Sequence, residues 1–295
     1  MTHCPMLSIL IPTFNDDCRE LVKGLANQAK SSGLTDWEII VADDGSTDDA
    51  IIVLNETLNE IPGCCYIRKR RNVGRAAIRN FLAHEAHGEF LLFIDADMTL
   101  VDSHYLERYV EVQDSCSVAY GGYCVRGGSL SNLRYIYERN GEKNHSAAIR
   151  RSNPYQDFHT SNFMIARDVM LAVPFDERFR HYGYEDVLFG KQLLVRGISI
   201  LHIDNPVCFS TFETNDEFIR KTEEGLRTLR TFRNELKGYS PLLSLAEKIE
   251  RYKLKTLTVN LLRKLRKPLV KWASSSSPSL LAFRLYKLCY YLSLD

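Results

Sequence analysis

Asp95 and Asp97 are two carboxylates, one residue apart, that follow the apolar run of residues 90–94. Carboxylate oxygens are the ligands that Mg²⁺ and Mn²⁺ prefer, and these ions keep positions open for phosphate oxygens. A cation held there can stabilise the negative charge on a departing nucleoside diphosphate. Because aspartate is also common in turns, this pair alone is a weak indication of a metal site.

A second acidic segment, DDGSTD from Asp43 to Asp48, follows the apolar run of residues 37–42. Part of it is typical of a glycine turn followed by a helix N-cap. A turn does not explain the adjacent carboxylates of Asp43 and Asp44, which repel each other unless a ligand uses them. An aspartate at this place can accept hydrogen bonds from a base or a ribose hydroxyl, so we expect both roles.

The third segment, RNVGR from Arg71 to Arg75, is followed by Arg79 and Asn80. It is typical of a turn that leads into a helix, with Arg79 on the solvated face. It equally fits a helix N-terminus and a basic cluster that bind an anionic diphosphate. The residues alone favour neither interpretation.

The fourth segment is Gly183-Tyr184-Glu185-Asp186. Acidic residues at a helix start often only complement the helix dipole. The aromatic residues that precede them indicate a partly desolvated crevice, where a carboxylate can take a proton from an attacking hydroxyl. Because adjacent helical side chains diverge by about 100°, only one of Glu185 and Asp186 can point at the reacting oxygen.

Strands must position these residues. Four short apolar runs alternate with helical stretches, which predicts an α/β fold whose mostly parallel sheet is covered on both faces. The loops that follow the strands then lie along one sheet edge, where open α/β sheets bind ligands. Further along we expect an irregular, mobile excursion, a helix from Glu185, one strand and another helix. The predicted strands are 7–14, 37–43, 65–69, 89–97 and 198–209, the excursion covers 115–157, and the last helix covers 215–236.

The charge of the 295-residue chain is unevenly distributed. Residues 238–295 carry 11 Lys/Arg and 3 Asp/Glu, although the whole chain has a net charge of only +1. We therefore predict a catalytic domain over 1–237 and a basic, helical extension over 238–295. The extension predicts an anionic partner. A membrane surface is favoured over nucleic acid because no nucleic-acid-binding module accompanies the charge; packing of its leucines on the protein is nearly as well supported.

The eight cysteines, Cys4 among them, form no CxxC pair, so we expect reduced thiols in a cytosolic protein. The first residues lack the pattern of a signal peptide. No stretch approaches 18 uncharged apolar residues. We expect a cytoplasmic protein that is peripheral on the inner face of a membrane.

Together the segments resemble family 2 glycosyltransferases, in the galactosyltransferase-like or chondroitin-polymerase-like branch. That family shows P-T/V-x-N, DDGSxD, N-x-G-x-x-x-A-R-N, D-A-D and G-x-E-D in this order, and the likeness covers about residues 6–235. F-D-E, found here at Phe175 to Glu177, also recurs in the branch. The matching segments are Pro12 to Asn15, Asp43 to Asp48, Asn72 to Asn80, Asp95 to Asp97 and Gly183 to Asp186.

The resemblance implies a GT-A fold and inverting transfer from a nucleotide-diphosphate sugar, usually a UDP-sugar, to a glycan or lipid-linked acceptor in surface polysaccharide synthesis. Mn²⁺ or Mg²⁺ is the implied cofactor, held by Asp97 and Asp95. Asp186 is implied as the base, with Glu185 on a neighbouring acceptor hydroxyl. The implied donor-binding residues are Pro12, Thr13, Asn15, Asp43, Asp44, Asn72, Arg79, Asp95 and Ala96.

One position departs from the branch. Many members have a metal-binding histidine after the last strand, where this chain has Phe209. His202 is expected to be a strand residue, so the cation is expected to bind weakly or to be dispensable. Two alternatives stay open: a catalytically silent nucleotide-sugar-binding subunit, and a sugar-phosphate nucleotidyltransferase. The latter is expected to have a glycine-rich basic loop after the first strand, where this chain has PTFND.

Overall fold

A computed structural model describes residues 6–294, without the side chains of residues 257, 262 and 263; Cys4 and the rest of 1–5 lie outside the described residues. The strands are β1 (Leu7–Thr13), β2 (Trp37–Asp43), β3 (Cys64–Arg68), β4 (Phe90–Ile94), β5 (Met98–Leu100), β6 (Val118–Tyr120), β7 (Tyr123–Val125), β8 (Asn162–Ala166), β9 (Leu201–His202) and β10 (Val207–Phe209).

Helices alternate with the strands in the N-terminal half and dominate the C-terminal half. They are α1 (Arg19–Ser31), α2 (Asp49–Glu56), α3 (Arg75–Glu85), α4 (Tyr105–Val110), α5 (Leu133–Glu142), α6 (Ala147–Arg150), α7 (Arg167–Ala172), α8 (Glu185–Val195), α9 (Asn215–Thr231), α10 (Pro241–Arg251), α11 (Lys255–Ala273) and α12 (Leu280–Leu292), with short 3₁₀ helices at Thr57–Glu60 and Gln113–Ser115.

Seven strands form the central sheet in the order β3-β2-β1-β4-β8-β6-β9. The first four of these are mutually parallel, whereas β8 pairs antiparallel with both β4 and β6. Strand β1 is almost entirely buried because both sheet faces are covered, which is why its sequence is continuously apolar instead of alternating. The predicted mostly parallel α/β sheet is confirmed.

A second, three-stranded sheet has the order β5-β10-β7. The predicted single strand over 198–209 is wrong: its two ends are β9 in the central sheet and β10 in this small sheet. Between them Asn205 is fully buried, and its side-chain amide donates to the carbonyl oxygen of Tyr105 at 2.9 Å. Pairing in β10 places Phe209 opposite Met98, one residue after Asp97.

The region 115–157 is more regular than predicted. It contains β6, β7, α5 and α6, and it contributes Tyr120, Val125 and Leu133 to the buried core. The expectation of an irregular excursion was wrong because the apolar residues of this region are scattered among polar ones and do not form a run.

The C-terminal helices pack on one another and on the preceding part of the chain: α12 packs on α9 and α5, whereas α11 packs mainly on α12. In α12, Phe283, Tyr286 and Tyr291 are fully buried, in the same apolar cluster as Leu226 and Leu229 of α9. Among the described residues, no helix is both long enough and apolar enough to cross a bilayer.

Candidate functional site

The candidate site lies at the carboxyl ends of the parallel strands. In the strand order β3-β2-β1-β4, the strands β2 and β3 lie on one side of β1 and the strand β4 lies on the other side. Open α/β sheets bind ligands in the crevice at such a switch point. The DDGSTD segment after β2 and the DAD segment after β4 both open onto this edge.

A buried arginine joins the acidic residues that follow β4 to those that begin α8. Arg79 is 1% exposed; its Nη2 lies 2.6 Å from Asp95 Oδ1, and its Nη1 lies 3.7 Å from Glu185 Oε1. The same Nη1 donates to the carbonyl oxygen of Arg75 at 3.2 Å. Arg79 therefore neither faces solvent nor is free for a diphosphate, and it holds two implied site residues together.

Asp97 is the exposed member of the DAD segment. Its carboxylate reaches water but is largely surrounded by protein, and this desolvation, together with the charge of Asp95, raises its pKa to about 6. The positive charge of Arg75 opposes the rise. Asp97 is thus a carboxylate that gains stability when a cation is brought beside it.

Two further charged residues lie near Asp97: Arg75, which belongs to the RNVGR basic cluster, and Asp16, which sequence analysis did not assign to the site. Arg75, the first residue of α3, stacks its guanidinium over the ring of Tyr182 at 4.9 Å. Burial acts to lower its pKa, but Glu185, Tyr182 and the DAD carboxylates raise it overall. Asp16 follows the PTFN segment, and burial and the charge of Asp95 raise its pKa, opposed by Lys221 and Arg75. The position of Asp16 directly after the recognised PTFN segment was the available indication.

The two acids after β2 have partners within the protein. Asp43 is fully buried, where it accepts hydrogen bonds from the Tyr66 hydroxyl and, at 2.7 Å, from the Ser46 amide. Asp44 accepts from the amides of Val73 and Gly74 at 2.7 and 3.0 Å. Asp44 therefore fixes the RNVG loop against the end of β2. Burial raises its pKa, although the two amide hydrogen bonds oppose the rise.

Glycine is required where these two loops meet. Gly45 has a φ of 76°, and a Cβ there would lie 2.6 Å from the backbone of Arg71. Asp48 caps α2 by accepting from the amides of Ala50 and Ile51, which confirms the helix N-cap expected in the DDGSTD segment.

Asn15 links the end of β1 to the DDGSTD segment. It adopts a left-handed φ of 58°, and its Oδ1 accepts from the amides of Thr47 and Asp48 at 2.8 and 3.0 Å. Of the other implied donor-binding residues, Pro12 is half-buried in β1, Thr13 and Ala96 are buried at the strand ends, and Asn72 is exposed in the loop that Asp44 holds.

The acidic pair at the start of α8 diverges as helical geometry requires. Tyr184 precedes it with a φ of 69°, a strained conformation that fixes the direction of the helix start. Glu185 is buried beside Arg79, and burial and the charge of Asp186 raise its pKa. Asp186 points the other way, with its Oδ2 3.2 Å from His159 Nδ1. Sequence analysis did not identify His159, which belongs to none of the four segments.

Phe209 stands where the resemblance implies a histidine. Its ring lies 5.4 Å from the guanidinium of Arg134, which forms an ion pair with Glu138 at 3.0 Å. His202 is fully buried in β9; it accepts from Arg150 Nε at 3.1 Å, and its Nε2 lies 2.9 Å from the carbonyl oxygen of Pro154. Its expected role as a strand residue is confirmed.

The donor set fits a divalent cation only with help from a ligand. Among the described residues, no group of three or more His, Cys, Asp or Glu side chains is arranged to hold a metal ion. Asp97 offers a free carboxylate, whereas one oxygen of Asp95 is bound to Arg79. Two carboxylates together with the oxygens of a diphosphate satisfy a cation of the Mg²⁺ or Mn²⁺ kind.

Solved structures share this fold. A mannosyltransferase from Pyrobaculum calidifontis, in complex with GDP-Man and Mn²⁺, superposes with a TM-score of 0.57 at 18% identity and covers 96% of this chain and 79% of that chain. S. aureus TarS 1–349 in complex with UDP superposes with a TM-score of 0.52 at 18% identity, covering 97% and 89%. The fold of the chain is GT-A, with additional C-terminal helices.

Sequence comparison gives the family. Chondroitin synthase of Pasteurella multocida (strain Pm70) is 25% identical over 235 residues, which are 69% of this chain and 24% of that protein. The chain spans less than half the length of the curated relatives that it matches. Residues 8–172 match the family described as Glycosyl transferase family 2. Since that match covers more than half of the chain and contains the β1, β2, β3 and β4 edge described above, the chain belongs to glycosyltransferase family 2.

Proposed function

We propose that the chain transfers a sugar, with inversion, from a UDP-sugar to a hydroxyl of a glycan or lipid-linked acceptor in surface polysaccharide synthesis. The observation that carries the proposal is the Asp95–Arg79–Glu185 bridge. One buried guanidinium ties the acids that follow β4 to the acids that begin α8. The groups proposed for the donor diphosphate and for the acceptor are thus held at a fixed separation, which a displacement reaction needs.

On the donor side, the proposed nucleoside site is formed by the ends of β1 and β2 and the RNVG loop. Asn15 and Asp44 hold these segments together through hydrogen bonds to backbone amides. A divalent cation bound by Asp97 and Asp95 would neutralise the leaving diphosphate. Arg75 interacts electrostatically with Asp95 and Asp97, so its guanidinium adds a positive charge beside the proposed diphosphate site whether or not a metal ion is bound.

The acceptor side is proposed at the start of α8, where Asp186 is the base. The carboxylate takes the proton of the acceptor hydroxyl while that oxygen attacks the sugar. A base on the side opposite the diphosphate gives inversion. Glu185 is less accessible than Asp186 and is already paired with Arg79, so its proposed contribution is to fix the acceptor side relative to the donor side.

The donor proposal predicts metal-dependent nucleotide binding. We expect UDP with Mn²⁺ to raise the melting temperature more than UDP alone, because the cation strengthens the binding of the diphosphate. A ligand at 100 times its Kd stabilises the folded protein by about 2.7 kcal/mol. Asp97→Ala should remove the metal-dependent part. Asp44→Ala should weaken UDP binding with or without metal, because the RNVG loop loses its anchor. Differential scanning fluorimetry with UDP and GDP, each with and without Mn²⁺, measures both effects.

Asp114→Ala, at an exposed acid in the short 3₁₀ helix Gln113–Ser115, serves as the control. If neither Asp97→Ala nor Asp44→Ala changes nucleotide binding, the donor site is misplaced. A larger rise in melting temperature with GDP than with UDP contradicts the proposal that the donor nucleotide carries uracil. Turnover of the UDP-sugar to UDP distinguishes an enzyme from a silent binding subunit. Formation of a nucleotide sugar from nucleoside triphosphate and sugar 1-phosphate would show a nucleotidyltransferase.

We also propose that the protein docks on the anionic cytoplasmic face of a membrane through α11. In α12 four leucines at helical spacing are divided between two environments: Leu288 and Leu292 are buried in the core, whereas Leu281 and Leu285 are exposed. Packing on the protein therefore accounts for much of α12. The greater part of the described side chains of α11, in contrast, is exposed.

The outer face of α11 carries an apolar stripe. Leu261, Leu265 and Trp272 are 62%, 43% and 65% exposed, and Pro268 is exposed between them. At 3.6 residues per turn these four positions fall within roughly 60° of the helix circumference. The exposed lysines at 264, 267 and 271 lie along one side of the stripe. An apolar stripe beside lysines, with a tryptophan, is typical of a helix that lies in the interface of an anionic bilayer.

Docking predicts flotation of the full chain with phosphatidylserine-containing vesicles, and less with pure phosphatidylcholine. The triple variant Leu261→Ser/Leu265→Ser/Trp272→Ser should stay with the unbound protein, because it removes apolar contact without touching the core. Val53→Ser/Val195→Ser, which changes exposed apolar residues on α2 and α8, is the control. Equal flotation of the triple variant and the control would refute docking through α11.

A further inference from the structure

His159 lies between the acidic start of α8 and the strand β8. Its Nδ1 is 3.2 Å from Asp186 Oδ2, and its side chain is 41% exposed against 21% for that of Asp186. Glu185, on the other side of the helix start, is 6% exposed. The imidazole and the Asp186 carboxylate therefore form a pair that solvent reaches, whereas Glu185 is enclosed.

The orientation of the Asp186 carboxylate depends on its contact with His159. Its Oδ1 accepts the amide of Val187 at 2.8 Å, a bond within the first turn of α8. Its Oδ2 meets the imidazole of His159. A carboxylate on a helix start can rotate toward solvent unless another element holds it. Here His159, brought from the segment before β8, holds it from outside the helix.

The surroundings favour a protonated His159. Burial acts to lower its pKa, but the hydrogen bond and charge of Asp186, with the charges of Glu138 and Asp157, raise it overall. The rings of Tyr120, Tyr123 and His145 also lie within 5.3 to 6.2 Å.

His145 does not compete with His159 for the proton. Its Nε2 lies 3.0 Å from the Tyr120 hydroxyl, and burial together with the neighbouring His159 and Arg150 cations lowers its pKa to about 2. On the Asp186 side the facing charges are Glu185 and Arg79 in addition to His159. Burial acts to raise the pKa of Asp186, but the contact with His159 lowers it overall.

We propose that His159 is a positioning residue for the reaction: it holds the Asp186 carboxylate toward the acceptor and, as an imidazolium, keeps that carboxylate ionised. This inference rests on the proposed function of Asp186. In the transfer, the acceptor oxygen forms its bond to the sugar as the bond from sugar to diphosphate breaks. The electron pair of the broken bond leaves with the diphosphate, and the hydroxyl proton passes to Asp186. His159 keeps its proton throughout.

The pH dependence of turnover separates this role from a structural one. The active form carries ionised Asp186, so the acidic limb of the kcat profile follows the pKa of that group. An opposite charge within about 4–6 Å lowers a carboxylate pKa by about 1–3 pH units. His159→Gln keeps a hydrogen-bond donor but removes the charge. We expect it to move the acidic limb upward by about 1–3 pH units and to recover most activity at high pH.

The experiment measures UDP release from UDP-GlcNAc, UDP-glucose, UDP-galactose and UDP-glucuronate between about pH 4.5 and 9. Wild type, His159→Gln and His159→Asn are compared with His104→Gln, whose imidazole pairs with Glu107 at 3.3 Å on α4. The control should retain the wild-type profile. A His159→Gln profile that coincides with that of wild type overturns the inference, as does a loss of equal size at every pH.

A second measurement does not depend on turnover. The His159 ring is titrated by NMR in the wild-type chain and in Asp186→Asn. We expect its pKa to lie above the ordinary value in wild type and to fall in the variant. An unchanged titration overturns the pairing even if the His159 variants do not fold. If wild type releases no UDP while the titration shifts as expected, the proposed function fails and the His159–Asp186 pair stands.

Discussion

Asp186→Asn is expected to lower kcat by about 10²–10⁴-fold while leaving the affinity for UDP nearly unchanged. The substitution preserves the shape of the side chain and removes only its ability to accept a proton. Asp186 contacts His159 and its own helix, away from the DAD segment proposed for the diphosphate. The measurement is UDP release from the UDP-sugar that wild type turns over fastest, with UDP binding measured by calorimetry.

Glu185→Gln is the matched comparison, because it removes the neighbouring carboxylate by the same chemical change. Glu185 is paired with Arg79 and not with His159, so this variant should change the separation of donor and acceptor and mainly raise KM. If both acids only complement the helix dipole, each substitution costs about 1 kcal/mol of stability and little activity. Full turnover in folded Asp186→Asn would refute Asp186 as the base.

The sequence was sufficient to predict the parallel half of the fold. The strands β1, β2 and β4 are buried on both faces, so each is a short apolar run that local composition reveals. The edge strand β3 is only partly buried but is also a short run. The polar residues after them necessarily lie at one edge, and the start of α8 at Glu185 is marked by adjacent acids. These features depend on residues that are neighbours in the chain.

Features that depend on distant packing could not be predicted. Arg79 has the spacing of a solvated helix residue, and it is buried only because Asp95 and Glu185 converge on it from two other elements. His159 meets Asp186 across 27 residues. The leucines of α12 have the period of an amphipathic helix, and that period is the same for a helix that packs on α9 as for one that lies on a bilayer.

Arg79→Met is expected to lower the free energy of unfolding by about 3–5 kcal/mol, the cost of removing one partner of a buried ion pair. Methionine fills a similar volume, so the loss reports charge rather than a cavity. The side chain of Arg79 is 2% exposed, and those of Asp95 and Glu185 are 21% and 6% exposed. Without the guanidinium, two carboxylates remain in a poorly solvated space, with only the neighbouring charge of Arg75 to oppose theirs. Urea denaturation followed by circular dichroism measures the change.

Arg196→Met is the control, because this arginine is exposed at the end of α8 and the expected change is within about 0.5 kcal/mol. The triple variant Arg79→Met/Asp95→Asn/Glu185→Gln should regain most of the stability, since no charge is then left uncompensated. It should not regain metal-dependent UDP binding, because Asp95 is one of the two proposed cation ligands. A loss below about 1 kcal/mol in Arg79→Met would show that other groups neutralise these carboxylates. In that case the Asp95–Arg79–Glu185 bridge would not be the interaction that fixes the donor side relative to the acceptor side.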